Sequence, residues 1–192
     1  MTNFKFYGLY KNVRNAAWQC LIDFNINYLP TNVLQITDAA GIKVVKDSDV
    51  GILAPNEIGA SFVVDDVWHI VYKNTDSRQT SRFTVAHELG HIFLGHELRQ
   101  GKHTRKLEKA QPKEESEANT FAYRLLAPAC VIWGLGLHKA DEIASLCDIP
   151  IADAKNRADR MKILYERNKF LSSNLEKKVY KNFEEFINKN PR

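Results

Sequence analysis

Apolar positions along this chain recur first at helical spacing, then at strand spacing, then at helical spacing again. Ala16, Ala17, Cys20, Leu21 and Phe24 fall at helical intervals, which predicts a helix over 12–29 stopped by Pro30. A second helix is predicted over Asn32–Ala40, with Gly41 in the left-handed position that commonly follows a helix end. Ile42-Lys43-Val44-Val45 reads as a strand, and Gly51, Pro55 and Gly59 mark a loop. Ser61–Val64 and Val67–Tyr72 are rich in β-formers and flank Asp65-Asp66, the pattern of a hairpin.

The helical period returns from Ser81 to Leu94. Phe83, Val85, Ala86, Leu89, Ile92 and Phe93 leave little polar surface, so this helix is expected to be buried, with Gly95 ending it. Residues 97–113 are polar and lysine-rich and read as a surface excursion. Ala118, Phe121, Ala122 and Leu125 share one face of a predicted helix over Glu114–Leu126, closed by Pro128. Helices over 141–147 and 151–165 flank a turn at Asp148-Ile149-Pro150, and a last helix carries Leu175, Val179, Phe183, Phe186 and Ile187. The pattern predicts an α+β fold. A small β-sheet packs on a buried helix in the first half, and the C-terminal half is mostly helical. The expected division is a core over 1–130 and a helical extension over 131–192 packed on it.

Composition narrows the chemistry. With 192 residues, 44% of them apolar, the chain can bury a core without disulfides or a structural metal, so a bound metal would be there for chemistry. Cys20, Cys130 and Cys147 are scattered with no C-x-x-C spacing. This argues against a disulfide framework or a thiolate zinc site and suits a reducing cytoplasm. The N-terminal MTNFKFYGLYKNVRN has no long apolar run and no stretch approaches a membrane span, so a cytoplasmic location and no membrane partner are expected. The net charge of +4 is concentrated late: residues 155–192 hold eleven Lys or Arg against five Asp or Glu. Such a tail can attract an acidic partner, although a solvated helix surface explains it more simply.

His87-Glu88-Leu89-Gly90-His91 lies within the buried helix. Residues four apart share a helix face about 6 Å apart along the axis, so two imidazoles there can reach one tetrahedral Zn²⁺, one ion per chain. Glu88 follows the first ligand and is placed to take a proton from an attacking water. Burying two histidines and a glutamate in an apolar helix needs compensation, which a pair of satisfied core histidines would supply less completely than a metal. A catalytic zinc needs a third protein ligand. Glu115 and Asn119 are four apart on the next helix, so Glu115 can bind metal while Asn119 hydrogen-bonds a ligand histidine from behind. Glu117 is the main alternative ligand and Glu114 a weaker one, since an acidic first turn is also favoured by the helix dipole.

Arg82-Phe83-Thr84-Val85-Ala86-His87-Glu88-Leu89-Gly90-His91, then Glu115-x-Glu117-Ala118-Asn119-x-Phe121-Ala122 and Leu125-Leu126-Ala127-Pro128, resembles the ImmA/IrrE metallopeptidases. The strand ending Ile70-Val71-Tyr72-Lys73-Asn74 is similar to the strand before that family's active-site helix. The resemblance favours Glu115 over Glu117, because the family keeps the first glutamate of E-x-x-A-N more firmly. It implies a zincin-like fold and a gluzincin-like zinc endopeptidase of bacterial or phage origin. Its substrate would be a helix-turn-helix transcriptional repressor of a mobile element, phage or stress regulon. Residues after about 130 match the family core weakly.

A donor for the developing oxyanion is expected near the metal, and Tyr72, His69 and Tyr123 are the candidates. His96 lacks the metzincin spacing and is expected at the surface, like His103 and His138. Glu142–Arg160 has a helix-turn-helix cadence with Lys155, Arg157 and Arg160. That leaves an alternative, a metal-containing DNA-binding or protein-binding regulator without catalysis, but packing of these helices on the core explains the cadence better.

Overall fold

The computed structural model describes residues 5–74, 77–96 and 112–190. The surface excursion expected over 97–113 falls almost wholly outside them. The chain forms two compact units, Met1–Ala16 with Val33–Ala122, and Ala17–Asn32 with Tyr123–Arg192.

The first unit holds the sheet. Helix α1 (Val13–Asp23) begins in it, and α2 (Val33–Ala40) follows, with Gly41 at φ 72° in the expected left-handed position. Strand β1 (Lys43–Lys46) leads into a short helix α3 (Asp47–Val50), then to β2 (Gly59–Val64) and β3 (Val67–Tyr72). The sheet order is β1-β3-β2, with β1 parallel and β2 antiparallel to β3. Asp65 and Asp66 join β2 to β3 with φ of 49° and 60°. Positive φ at both turn residues matches the right-handed twist of the flanking strands, which is how this two-residue hairpin closes.

Helix α4 (Arg78–Leu94) packs across β2 and β3. Ser77 caps its start, its hydroxyl accepting from the Thr80 N–H at 3.3 Å. Eleven of its seventeen residues are buried, including Glu88 and His91, so the helix is a core element and its polar groups need partners inside. Helix α5 (Pro112–Leu126) starts on a proline, which lacks the N–H that a first helical residue leaves unpaired. The close approach of α5 to α4 is set by Gly90. A Cβ there would lie 3.2 Å from the Ala118 Cα and carbonyl oxygen and from the Phe121 Cβ. Phe93 and Phe121 meet edge to face beside this crossing, ring centroids 6.3 Å apart.

The second unit is helical: α6 (Ala129–Gly134), α7 (Ala140–Cys147), α8 (Ile151–Glu166), α9 (Asn174–Asn182) and α10 (Glu184–Lys189). The protein is thus α+β with a small sheet, as the sequence pattern predicts, and the sheet is three-stranded and mixed. Among the described residues no helix is long and apolar enough to cross a membrane.

Two predicted helices differ. The helix expected over 12–29 ends at Asp23, because Asn25 takes φ 52° and the Asn25 and Ile26 amides fold back onto the Ile22 and Leu21 carbonyls. The last predicted helix is two, divided at Phe183, which is fully buried. Burial of the bulky side chain there outweighs continuation of the helix. Arg157 is also buried, at 3% exposure, so it does not join Lys155 and Arg160 on the surface of α8.

Candidate metal centre

Helix α4 supplies two imidazoles from one face, four residues apart. His87 Nε2 and His91 Nε2 lie 3.0 Å apart. Helix α5 brings Glu115 to them, with Oε2 3.3 Å from His87 Nε2 and Oε1 3.5 Å from His91 Nε2. Two bonds of about 2.0–2.1 Å at a tetrahedral angle separate their ligand atoms by about 3.3 Å. The three observed separations bracket that value.

The hydrogen bonds behind these atoms fix their chemistry. His87 Nδ1 is 3.0 Å from Asn119 Oδ1, an acceptor, so the ring carries its proton on Nδ1 and a lone pair on Nε2. His91 Nδ1 is 3.0 Å from His96 Nδ1. A neutral His96 that donates from Nε2 to Glu117 Oε2, 3.1 Å away, accepts at Nδ1, so His91 donates from Nδ1 and presents a lone pair at Nε2. Two imidazole lone pairs and a carboxylate then face one another with no donor between them. A cation relieves that arrangement, and His87, His91 and Glu115 together could hold a metal ion.

Electrostatics favour the same protonation states. Burial pushes His91 down to about 3, helped by the neighbouring His87 and His96. Burial also lowers His87, against a partial pull upward from Glu115. Both imidazoles are therefore neutral at ordinary pH, the form that binds a metal. Glu115 keeps 46% of its side chain exposed, so the cluster opens to solvent on the α5 side while His91 is nearly sealed at 4%.

Glu88 projects toward the sheet. Its Oε2 accepts from the Ser61 hydroxyl at 3.0 Å. A Cβ on Gly59 would meet Thr84 Cγ2 and lie 3.0 Å from Glu88 Oε1, so glycine lets β2 come this close to α4. Neither Ser61 nor Gly59 was an expected site residue, and Gly59, expected in a loop, is the first residue of β2. The only available hint was strand alternation, which puts both on one face of β2.

Register separates the proposed oxyanion donors. Tyr72 pairs with Gly59, and Ile70 with Ser61, so Tyr72 shares the sheet face that meets α4. His69 pairs with Phe62 and stacks on it, rings 6° from parallel, on the opposite face. Its Nδ1 lies 2.9 Å from the Val67 carbonyl oxygen. Tyr123 is grouped with the second unit, where its hydroxyl donates to Asp153 Oδ1 at 2.8 Å. Burial and that carboxylate raise the Tyr123 hydroxyl to about 12.

Two further expectations change. His96 is not at the surface. It is 1% exposed, between His91 and Glu117, because the chain reverses at Gly95 and carries it back against α4. Glu117 is not among the clustered ligand atoms; its Oε2 lies 3.1 Å from His96 Nε2. Glu114 is buried and lies outside that cluster too.

A buried helix bearing H-E-x-x-H, with a glutamate presented from the next helix beside a small sheet, defines a metallopeptidase. The chain belongs to the peptidase M78 family, the IrrE N-terminal-like domain, whose family model matches residues 37–144, more than half of the chain. No curated protein matches it significantly.

Proposed function

We propose that this protein is a zinc-dependent endopeptidase of the cytoplasm, in which His87, His91 and Glu115 hold one zinc per chain and Glu88 is the catalytic base. The substrate is another protein, a helix-turn-helix transcriptional repressor of a mobile element, phage or stress regulon. The observation that carries the reading is the convergence of three lone-pair donors at 3.0–3.5 Å, each imidazole proton being committed elsewhere. Membership in a peptidase family supports a protein substrate. The repressor class rests on the resemblance of the 82–128 motifs to ImmA/IrrE proteins.

Zinc held there supplies Lewis acidity, which acidifies water and polarises a carbonyl. The protein's own groups do the rest. Glu88 takes the proton of the attacking water and returns it to the departing amine. The Ser61 hydroxyl donates to Glu88 Oε2 and so orients the carboxylate. Asn119 keeps His87 in the tautomer that presents Nε2. Tyr72, on the sheet face toward α4, is the donor we favour for the developing oxyanion. We assign catalysis to residues 1–130 and treat 131–192 as a helical extension. The non-catalytic DNA-binding alternative loses support from the burial of Arg157, one of the three basic residues it relies on.

Glu88→Gln tests the reading. The variant should keep its zinc and its fold, while cleavage of a cognate repressor falls roughly a hundredfold or more, the scale of lost general-base catalysis. Products are followed on a gel after wild type is shown to cleave. Undiminished cleavage by the variant would remove Glu88 from its role.

A further inference from the structure

Helix α4 ends on Gly95 in the left-handed conformation, φ 73°. The Gly95 N–H donates to the Ile92 carbonyl at 3.2 Å and the His96 N–H to the His91 carbonyl at 3.1 Å. This pair of bonds is the Schellman ending, which folds the residue after the glycine back over the residue five positions before it. Such endings commonly place an apolar pair in contact there. In α4 the pair is His91 and His96, rings 5.0 Å apart and 76° from parallel.

We propose that His96 and Glu117 are positioning residues for the metal ligand His91, forming a relay Glu117–His96–His91 that the helix ending installs. The inference rests on the metal-centre reading above. His91 Nε2 faces the ligand cluster, so the His91 proton sits on Nδ1 and is donated to His96 Nδ1 at 3.0 Å. His96, accepting at Nδ1, carries its own proton on Nε2 and donates it to Glu117 Oε2 at 3.1 Å. The relay ends on a carboxylate that keeps partial contact with solvent and stands 3.8 Å from Lys113.

The consequence is an unequal pair of ligands. His87 is supported by a neutral amide, that of Asn119. His91 is supported by an imidazole that is itself polarised by an anion. Hydrogen bonding of this kind fixes a ligand ring and raises the basicity of its free nitrogen. His96 would then strengthen metal binding without touching the metal. Ordinary filling of a buried position would need no particular proton placement.

The test uses the full chain and zinc itself. Long-range ¹H–¹⁵N correlation spectra should show His91 protonated on Nδ1 and His96 on Nε2. Zinc affinity is measured by competition with a chromogenic chelator. His96→Leu removes the acceptor and should weaken zinc about 10- to 100-fold, the usual effect of losing such a partner. His96→Asn, whose Oδ1 can stand where Nδ1 stood, should recover most of the loss. Glu117→Gln can still accept but carries no charge, and should show a smaller loss. Should His96→Leu fail to fold by circular dichroism, the Asn variant and the tautomers decide. His96 protonated on Nδ1, or wild-type affinity in a folded His96→Leu, would overturn the relay alone provided His87→Ala abolishes binding. Wild-type affinity in His87→Ala would instead overturn the metal centre and the relay with it.

Discussion

Helix α6 in the second unit and helix α4 in the first close with the same backbone bonds. In α6 the Gly136 N–H donates to Trp133 and the Leu137 N–H to Ile132, with Gly136 at φ 66°. The side chains this ending relates are Ile132 and Leu137, both fully buried. In α4 they are His91 and His96, also buried. The backbone device is indifferent to what it brings together. Apolar residues make it a packing contact, worth the area it removes from water. Imidazoles make it a directed hydrogen bond inside a low-dielectric interior, where it is strong if satisfied and costly if not.

Burial of other polar groups follows the same division. In the first unit His91 and His96 hydrogen-bond toward one cluster, and Glu88 is held by Ser61. In the second unit buried polar groups bond to the backbone instead, or to nothing among the described residues. Thr31 donates to the Leu125 carbonyl, and Glu176 accepts from the Ser172 N–H. Arg157 has no hydrogen-bond partner for any guanidinium nitrogen among the described residues. Burial and the nearby Arg124 cation lower it to about 9.

Five substitutions break or sharpen the contrast. Leu137→Ala should cost about 2–5 kcal/mol in urea unfolding, since it empties a fully buried position. A loss below about 1 kcal/mol would mean that the apolar ending contributes little packing. Glu115→Ala should weaken zinc roughly a hundredfold, one ligand's share of a binding free energy of about 10 kcal/mol or more. Glu117→Ala should weaken it less, and the reverse order would exchange the two glutamates. Gly90→Ala should cost about 1–3 kcal/mol, the range for overpacking, because the added methyl meets α5 backbone. Zinc affinity should fall with it as Glu115 moves. Arg157→Met should leave thermal unfolding unchanged or raise its midpoint, since an apolar side chain of similar size removes a buried charge without a partner. A clear destabilisation would show that the guanidinium is satisfied after all.

The sequence displayed the parts of this protein that depend on local spacing. The two histidines four apart, the buried helix around them, the hairpin about Asp65-Asp66 and the glycine endings all follow from rules within a few residues. Glu115 and Asn119 were within reach because they too share a face at helical spacing. What the sequence hid depends on chain reversal or on distant partners. His96 follows a glycine and precedes a polar stretch, which reads as solvent until the left-handed turn is seen to fold it inward. Ser61 and Gly59 matter because β2 lies against α4, and nothing within β2 announces that neighbour. Arg157 looked like a surface cation because a single helix gives no view of the helices packed upon it. Residues 17–32 pack with 123–192 for the same reason, since contact across a hundred residues leaves no periodic trace.

The closeness of α5 at Gly90 gives an unexpected meaning to the spacer in His-Glu-x-x-His. Those two middle letters are usually read as filler that sets the phase of the ligands. Here the second of them is a gauge. The missing side chain at Gly90 determines how far away α5 must stand, and with it where the carboxylate of Glu115 comes to rest. A larger residue would leave the two-histidine half of the motif intact and lengthen the reach to the Glu115 carboxylate. The address of a candidate ligand twenty-five positions downstream is therefore written partly inside the motif itself.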